Sequence, residues 1–246
     1  MKVKVCYFTH RGHIRDKNED ALLIHKLMVS EEFMEEPECI TLTGNNFIFV
    51  VADGLGGHEG GEIASKMVLK TLAGLEPISK EELYKALKEA QKKLEEFARE
   101  KPFYEGLGTA LAGVLLFEDK ALVFNVGDCR VYCIEEKAIQ LTKDHTQVQE
   151  LVDMGLITQE QAKRHPFRNM LSSALIGSPS FREFEIYMKD VYNCESFLIC
   201  SDGLWEPLEE HELLLTPIEL AELALNKGGQ DNITFITIRR LKGDII

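Results

Sequence analysis

The chain has 246 residues, 45% of them hydrophobic and 28% charged, with a formal net charge of −13. These values suit a soluble globular protein, and the length suits one domain over residues 1–246. The anionic balance disfavours nucleic acid and acidic lipid as partners, and no window reaches the ~18 apolar residues of a membrane-spanning helix.

Apolar runs of strand length cover residues 3–8 and 21–24, and a third, 47–52, stops at Asp53 in FIFVVADGLGGHEGGEIAS. Residues 62–72 then read as helical. Ser79 and Glu82 have the spacing of a capping box, and Leu83, Leu87, Ala90, Leu94 and Phe97 follow on one helical face. Strand-like runs return at 110–117, 121–126 and 131–134. Thr158 and Gln161 form a second box. A strand at 197–200 precedes Thr216-Pro217-Ile218-Glu219, which orders a cap, a first-turn proline and an N3 carboxylate. The last strand covers 233–238. Several runs are continuous rather than alternating, so burial on both faces is expected. Clustered strands with separated helices predict mixed α and β layers.

The start, MKVKVCYF, lacks the apolar core of a signal peptide, so a cytoplasmic protein is expected. Its six cysteines (6, 39, 129, 133, 194 and 200) form no CxxC pair and are expected to stay reduced. Cys129 and Cys133 lie in a strand-like run with no His or Cys cluster beside them, which argues against a metal site there.

Asp53 has companions. Residues 197–206 run into Ser201-Asp202-Gly203, residues 121–132 run into Gly127-Asp128, and Gly228-Gly229-Gln230-Asp231-Asn232 precedes the last strand. One Asp-Gly is ordinary turn chemistry. Four aspartates at the ends of buried strands, each within two residues of a glycine, predict carboxylates converging on one edge. Like charges that close do not all ionise unless a cation offsets them, and oxygen-only ligands select hard ions such as Mg²⁺ or Mn²⁺. Arg15, four residues before Glu19, adds a side chain suited to gripping phosphate.

With these residues assembled, the chain resembles the metal-dependent serine/threonine protein phosphatases, the protein phosphatase 2C family, in its bacterial form. The motifs are R-x-x-N-E-D at 15–20, D-G-L-G-G-H at 53–58, G-T-A at 108–110, G-D-C-R-V-Y at 127–132, L-T-K-D-H at 141–145, S-D-G-L-W at 201–205 and G-G-Q-D-N-I-T at 228–234. Residues 151–179, within a segment of about 145–179, look like the flap of bacterial members. The resemblance implies an α+β fold: a four-layer α/β/β/α sandwich of two antiparallel sheets flanked by helix pairs. It implies two ions, Mn²⁺ or Mg²⁺. Asp53 would bridge them, with Glu19 and the Gly54 carbonyl on one and Asp202 and Asp231 on the other. Asp128 with Asp202 matches a third, looser site. Asp20 and Asn232 would stand behind the ligands.

Departures are His10 where relatives carry Asp, Cys129 for Ser, Glu206 for Asp, and a small acidic insertion over 31–46. The implied reaction is attack on phosphoserine or phosphothreonine by a water that two ions share, with Arg15 orienting the phosphoryl group. Leu55 stands where animal relatives place a histidine acid, which leaves His58 or a metal-bound water as proton donor. His145 reads as a hydrogen-bonded structural residue. The implied partners are phosphorylated proteins, a Ser/Thr kinase among them, met by a monomer. A phosphatase with one dedicated substrate and a non-catalytic binding module are the alternatives. The module should lack a carboxylate of the set, and none is missing.

Overall fold

Four nine-residue runs rich in apolar and β-branched side chains, Lys2–His10, Phe47–Leu55, Gly108–Leu116 and Ile233–Leu241, form the long strands of the protein. The structure, a computed structural model, describes residues 1–56, 60–76, 78–178 and 183–241. In chain order the strands are β1 (Lys2–His10), β2 (Ala21–Ile24), β3 (Leu27–Val29), β4 (Glu38–Thr43), β5 (Phe47–Leu55), β6 (Gly108–Leu116), β7 (Ala121–Val126), β8 (Arg130–Ile134), β9 (Ala138–Gln140), β10 (Leu175–Ile176), β11 (Tyr187–Val191), β12 (Ser196–Cys200) and β13 (Ile233–Leu241). The helices are α1 (Gly60–Leu72), α2 (Lys80–Glu100), α3 (Gln147–Asp153), α4 (Gln159–Lys163), α5 (Asp202–Trp205) and α6 (Pro217–Asn226).

Two antiparallel sheets result. One runs β4-β1-β13-β12-β8-β9, the other β11-β7-β6-β5-β2-β3, with β10 beside β6. Their facing sides make one core, in which Phe8, Phe49, Phe197 and Phe235 are fully buried. Phe8 and Phe235 are register partners with ring centroids 5.6 Å apart. Each such ring contributes roughly 1.5–3 kcal/mol of burial. A second core joins the outer face of β5, β6 and β7 to α1 and α2, through Leu69, Leu83, Leu87, Ala90 and Leu94. The opposite sheet is covered by α6, through Leu220, Ala221 and Ala224. The four layers expected are present. The second flank is lighter than the first, one ten-residue helix with shorter turns beside it.

The caps follow the sequence with one exception. Thr158 with Gln161 and Thr216 with Glu219 each close a reciprocal box. Ser79 accepts from Glu82 N at 3.2 Å, but the Glu82 carboxylate turns to Lys85 Nζ at 2.6 Å.

The acidic insertion forms a strand. β4 pairs with β1 at the sheet edge, and the residues before it brace the loop that follows β1. Met34 N donates to Thr9 O (3.0 Å), Arg11 N to Glu32 O (2.9 Å), and Asn18 Nδ2 to Glu31 O (2.8 Å). The same register sets Cys6 opposite Cys39, and these two are disulfide-bonded. Cys133 and Cys194 form a second disulfide, while Cys129 and Cys200 are buried free thiols. The expectation of six reduced cysteines is therefore corrected: strand pairing brings residues 33 apart in sequence into contact. Closing a loop of that length limits the unfolded chain by on the order of 3 kcal/mol. Cys39→Ser is expected to lower the melting temperature by several degrees. Mass spectrometry after alkylation under denaturing, non-reducing conditions should find two modified cysteines.

Candidate active site

β1 and β12 end where β13 begins, and the last third of β5 reaches the same rim. Asp53 pairs with Ala110 in the β5–β6 ladder, and its carbonyl accepts from Thr109 Oγ1 at 2.8 Å. Beside it a Cβ on Gly54 would collide with the backbone oxygens of Gly61 and Glu19. Glycine there lets β5, α1 and the 11–20 loop meet. Gly203 does the same between α5 and the Asn232 carbonyl.

Asn232 ties the N-terminal loop to this rim. Its Oδ1 accepts from Glu19 N (2.9 Å), and its Nδ2 donates to Arg11 O and Lys17 O (both 2.9 Å). Glu19 therefore arrives at the N-terminus of α1, where Gly61 N–H donates to its carboxylate. Burial raises the Glu19 pKa, with Arg15 opposing. Arg15 Nη2 donates to Asp231 Oδ2 at 2.8 Å with half of its side chain exposed, and it also faces Asp53 and Glu19.

The aspartates behave as one electrostatic unit. Asp20 is pushed up to about 7, by burial first and then by Asp202 and Asp231, although Ser201 and Thr234 hydroxyls hold its charge. Ser201 Oγ donates to Asp20 Oδ2 at 2.8 Å. Asp202 is pushed up to about 6, by burial and then by Asp231, while a hydrogen bond with the Asp53 side chain opposes. Asp53 is raised well above the ordinary range by burial, then by Asp20, Asp202, Asp128 and Asp231. Asp128 is raised by burial, then by Asp202 and Asp144. Asp20 Oδ1 and Asp202 Oδ1 are buried with no hydrogen-bond partner. Each unit of such a shift corresponds to about 1.4 kcal/mol favouring the neutral form.

Chemically the set fits a hard divalent cation: oxygen donors only, mutual repulsion, and two buried oxygens lacking partners. Among the described residues no three His, Cys, Asp or Glu side chains stand as a finished cage. Arg15 occupies Asp231, and the Asp53–Asp202 hydrogen bond places a proton between two acids.

Asp53, Asp202, Asp231, Glu19, Arg15 and the Gly54 backbone are thus brought together, with Asp128 adjoining through Asp202. His145 is structural, its Nδ1 accepting from Gly127 N at 3.0 Å. His58 lies outside the described residues. Glu206 is engaged by Arg168 Nε at 2.8 Å. Two polar connections behind the rim have no counterpart in the sequence reading. Thr9 Oγ1 and Thr234 Oγ1 are 2.8 Å apart beneath Asp20, and Asp144 takes a bidentate grip from Arg130. The motifs containing Asp144 and Arg130 are visible in sequence, but their pairing is not.

The family model for protein phosphatase 2C matches residues 38–231. This chain belongs to the protein phosphatase 2C family. It is 31% identical to the serine/threonine phosphatase stp of Listeria monocytogenes over 252 aligned positions, covering 94% of each chain. The crystal structure of the serine/threonine phosphatase PstP/Ppp of Mycobacterium tuberculosis superposes with a TM-score of 0.81 at 30% identity, over 98% of this chain and 100% of that one. A PstP catalytic domain in complex with two manganese ions gives a TM-score of 0.76 at 28% identity, over 98% of this chain and 100% of that one. The chain is accordingly a metal-dependent protein-serine/threonine phosphatase acting on phosphoproteins. Among the described residues of the phosphatase no helix is long and apolar enough to cross a membrane.

Proposed function

We propose that the phosphatase holds two ions, Mn²⁺ or Mg²⁺, with Asp53 shared, Glu19 and the Gly54 carbonyl on one side, and Asp202 and Asp231 on the other. Asp128 and Asp202 would hold a third. The observation that carries this reading is the pair of unpartnered buried oxygens, Asp20 Oδ1 and Asp202 Oδ1, inside a set of mutually repelling carboxylates. Bound ions would supply a water of lowered pKa and positive charge facing the phosphoryl oxygens.

The protein's own groups do the rest. Arg15, half exposed on Asp231, has a planar fork that suits two phosphoryl oxygens, and it would be free to orient a phosphoryl group were Asp231 engaged in holding an ion. Water would attack phosphorus in line, the ester P–O bond would break, and the serine or threonine oxygen would leave with the proton that the attacking water gives up. No side chain needs to form a phosphoenzyme. Ser201 Oγ is committed to Asp20, and burial raises the Cys129 thiol far out of the thiolate range. The chain works as one domain, with the segment of about 145–179 as its flap. Its substrates are phosphoserine and phosphothreonine proteins, a Ser/Thr kinase among them, and it acts as a monomer. Against the cytoplasmic expectation stand two disulfides, which are commoner in oxidising compartments.

The test uses metal-stripped protein and a phosphothreonine peptide. Phosphate release should appear on adding Mn²⁺. Arg15→Ala should cost roughly 10- to 100-fold in kcat/KM, a charge-assisted bidentate contact, while binding as many Mn²⁺ ions as wild type. Tight peptide binding without release would favour a binding module instead.

A further inference from the structure

α5 is a single turn with Asp202 at its start and Trp205 at its end. The Trp205 ring lies over Arg130, whose guanidinium carbon is 3.4 Å from the ring centroid. The indole Nε1–H donates to the backbone carbonyl of Asp128 at 3.0 Å. Arg130 cannot swing away. Its Nε and Nη2 hold Asp144 at 3.0 and 2.6 Å, and its Nη1 holds Tyr132 Oη at 3.0 Å. Arg130 and Asp144 are both largely buried. A buried Arg–carboxylate pair adds little net stability, but a guanidinium fixed along two edges makes a flat, immobile seat for an indole.

The turn that Trp205 holds is also gripped elsewhere. Gly127, at φ +98°, donates its N–H to His145 Nδ1 (3.0 Å) and accepts at its carbonyl from Asn125 Nδ2 (2.9 Å) and His145 N (2.9 Å). Those contacts fix residue 127. At residue 128 the backbone N–H turns to the Asp128 carboxylate and the carbonyl accepts from Trp205. The element that carries Asp202 therefore also clamps the turn that carries Asp128.

We propose that Trp205, seated on Arg130, is a positioning residue that fixes the Asp128 carboxylate against Asp202 and thereby sets the affinity of that pair for a divalent ion. This rests on the reading of the carboxylate rim as an ion site. Trp205→Phe keeps a ring over Arg130 and removes the N–H donor. Metal-free wild type and Trp205→Phe are titrated with Mn²⁺, with free Mn²⁺ read from its paramagnetic resonance signal. The weakest binding step should move roughly 10-fold to higher free Mn²⁺, as for loss of a group that orients a ligand, while tighter steps coincide. Arg130→Lys, which cannot hold Asp144 through two nitrogens and Tyr132 through a third, should move the same step in the same direction. Metal-free Trp205→Phe should melt within a few degrees of wild type. Superimposable isotherms, or equal weakening of every step, would overturn the positioning role. Wild type that takes up no Mn²⁺ would overturn the ion reading itself along with it.

Discussion

Asp53→Asn is expected to reduce phosphate release from a phosphothreonine peptide by about 10³-fold or more at saturating Mn²⁺, the scale of losing a preorganised electrostatic group. The same substitution is expected to raise the melting temperature of the metal-free protein at pH 8. Both follow from one placement. Asp53 is half-buried among Asp20, Asp202, Asp128 and Asp231, each of which opposes its charge. An amide of equal size keeps the hydrogen bond to Asp202 and removes a repelling charge. Activity and stability should therefore move in opposite directions. A loss below about 10-fold would remove Asp53 from the chemistry. A metal-free variant that melted lower than wild type would show that its carboxylate supports the fold.

The second large effect is a reversal of the pH dependence of stability on adding metal. In the metal-free fold Asp20 is pushed up to about 7 and Asp202 to about 6, with Asp53 and Asp128 also raised. In the unfolded chain these groups ionise near ~3.9. Between those values the folded state holds protons that the unfolded state has released, so stability falls as pH rises from about 4 through 7. For Asp20 alone the shift corresponds to about 4 kcal/mol over the full window. Metal-free protein should melt roughly 10 °C higher at pH 5 than at pH 8. Ions compete with those protons, so the rise in melting temperature caused by Mn²⁺ should be larger at pH 8. A metal-free melting temperature that climbs from pH 5 to pH 8 would contradict the electrostatics of the rim.

The legible parts of the fold were those buried on both faces. Residues 47–52 and 110–117 read as strands because apolar side chains are continuous, and β5 and β6 are covered by the opposite sheet on one side and by α1 and α2 on the other. β4 gives no clear strand signal because each of its residues is exposed or half-buried, which leaves a weak alternation in ECITLT inside an acidic stretch. The disulfides were illegible for a related reason: a partner 33 or 61 residues away is set by register and packing, not by spacing. At the site, Asp53, Asp128 and Asp202 are legible because each follows an apolar run beside a glycine, and Asp231 because it precedes the last strand, two residues after a glycine pair. What stands behind them, Thr9 on Thr234 or Trp205 on Arg130, joins side chains from separate elements and leaves no local pattern.

The tether formed by Asn232 has a consequence for synthesis. Arg15 and Glu19 leave the ribosome more than two hundred residues before the amide that anchors them. β13, which follows it, lies between β1 and β12 and so joins an early strand to the late ones. Pairings this distant form slowly, and the rim stays unassembled on a nascent chain. A cell is thereby spared a hydrolase that works before translation ends.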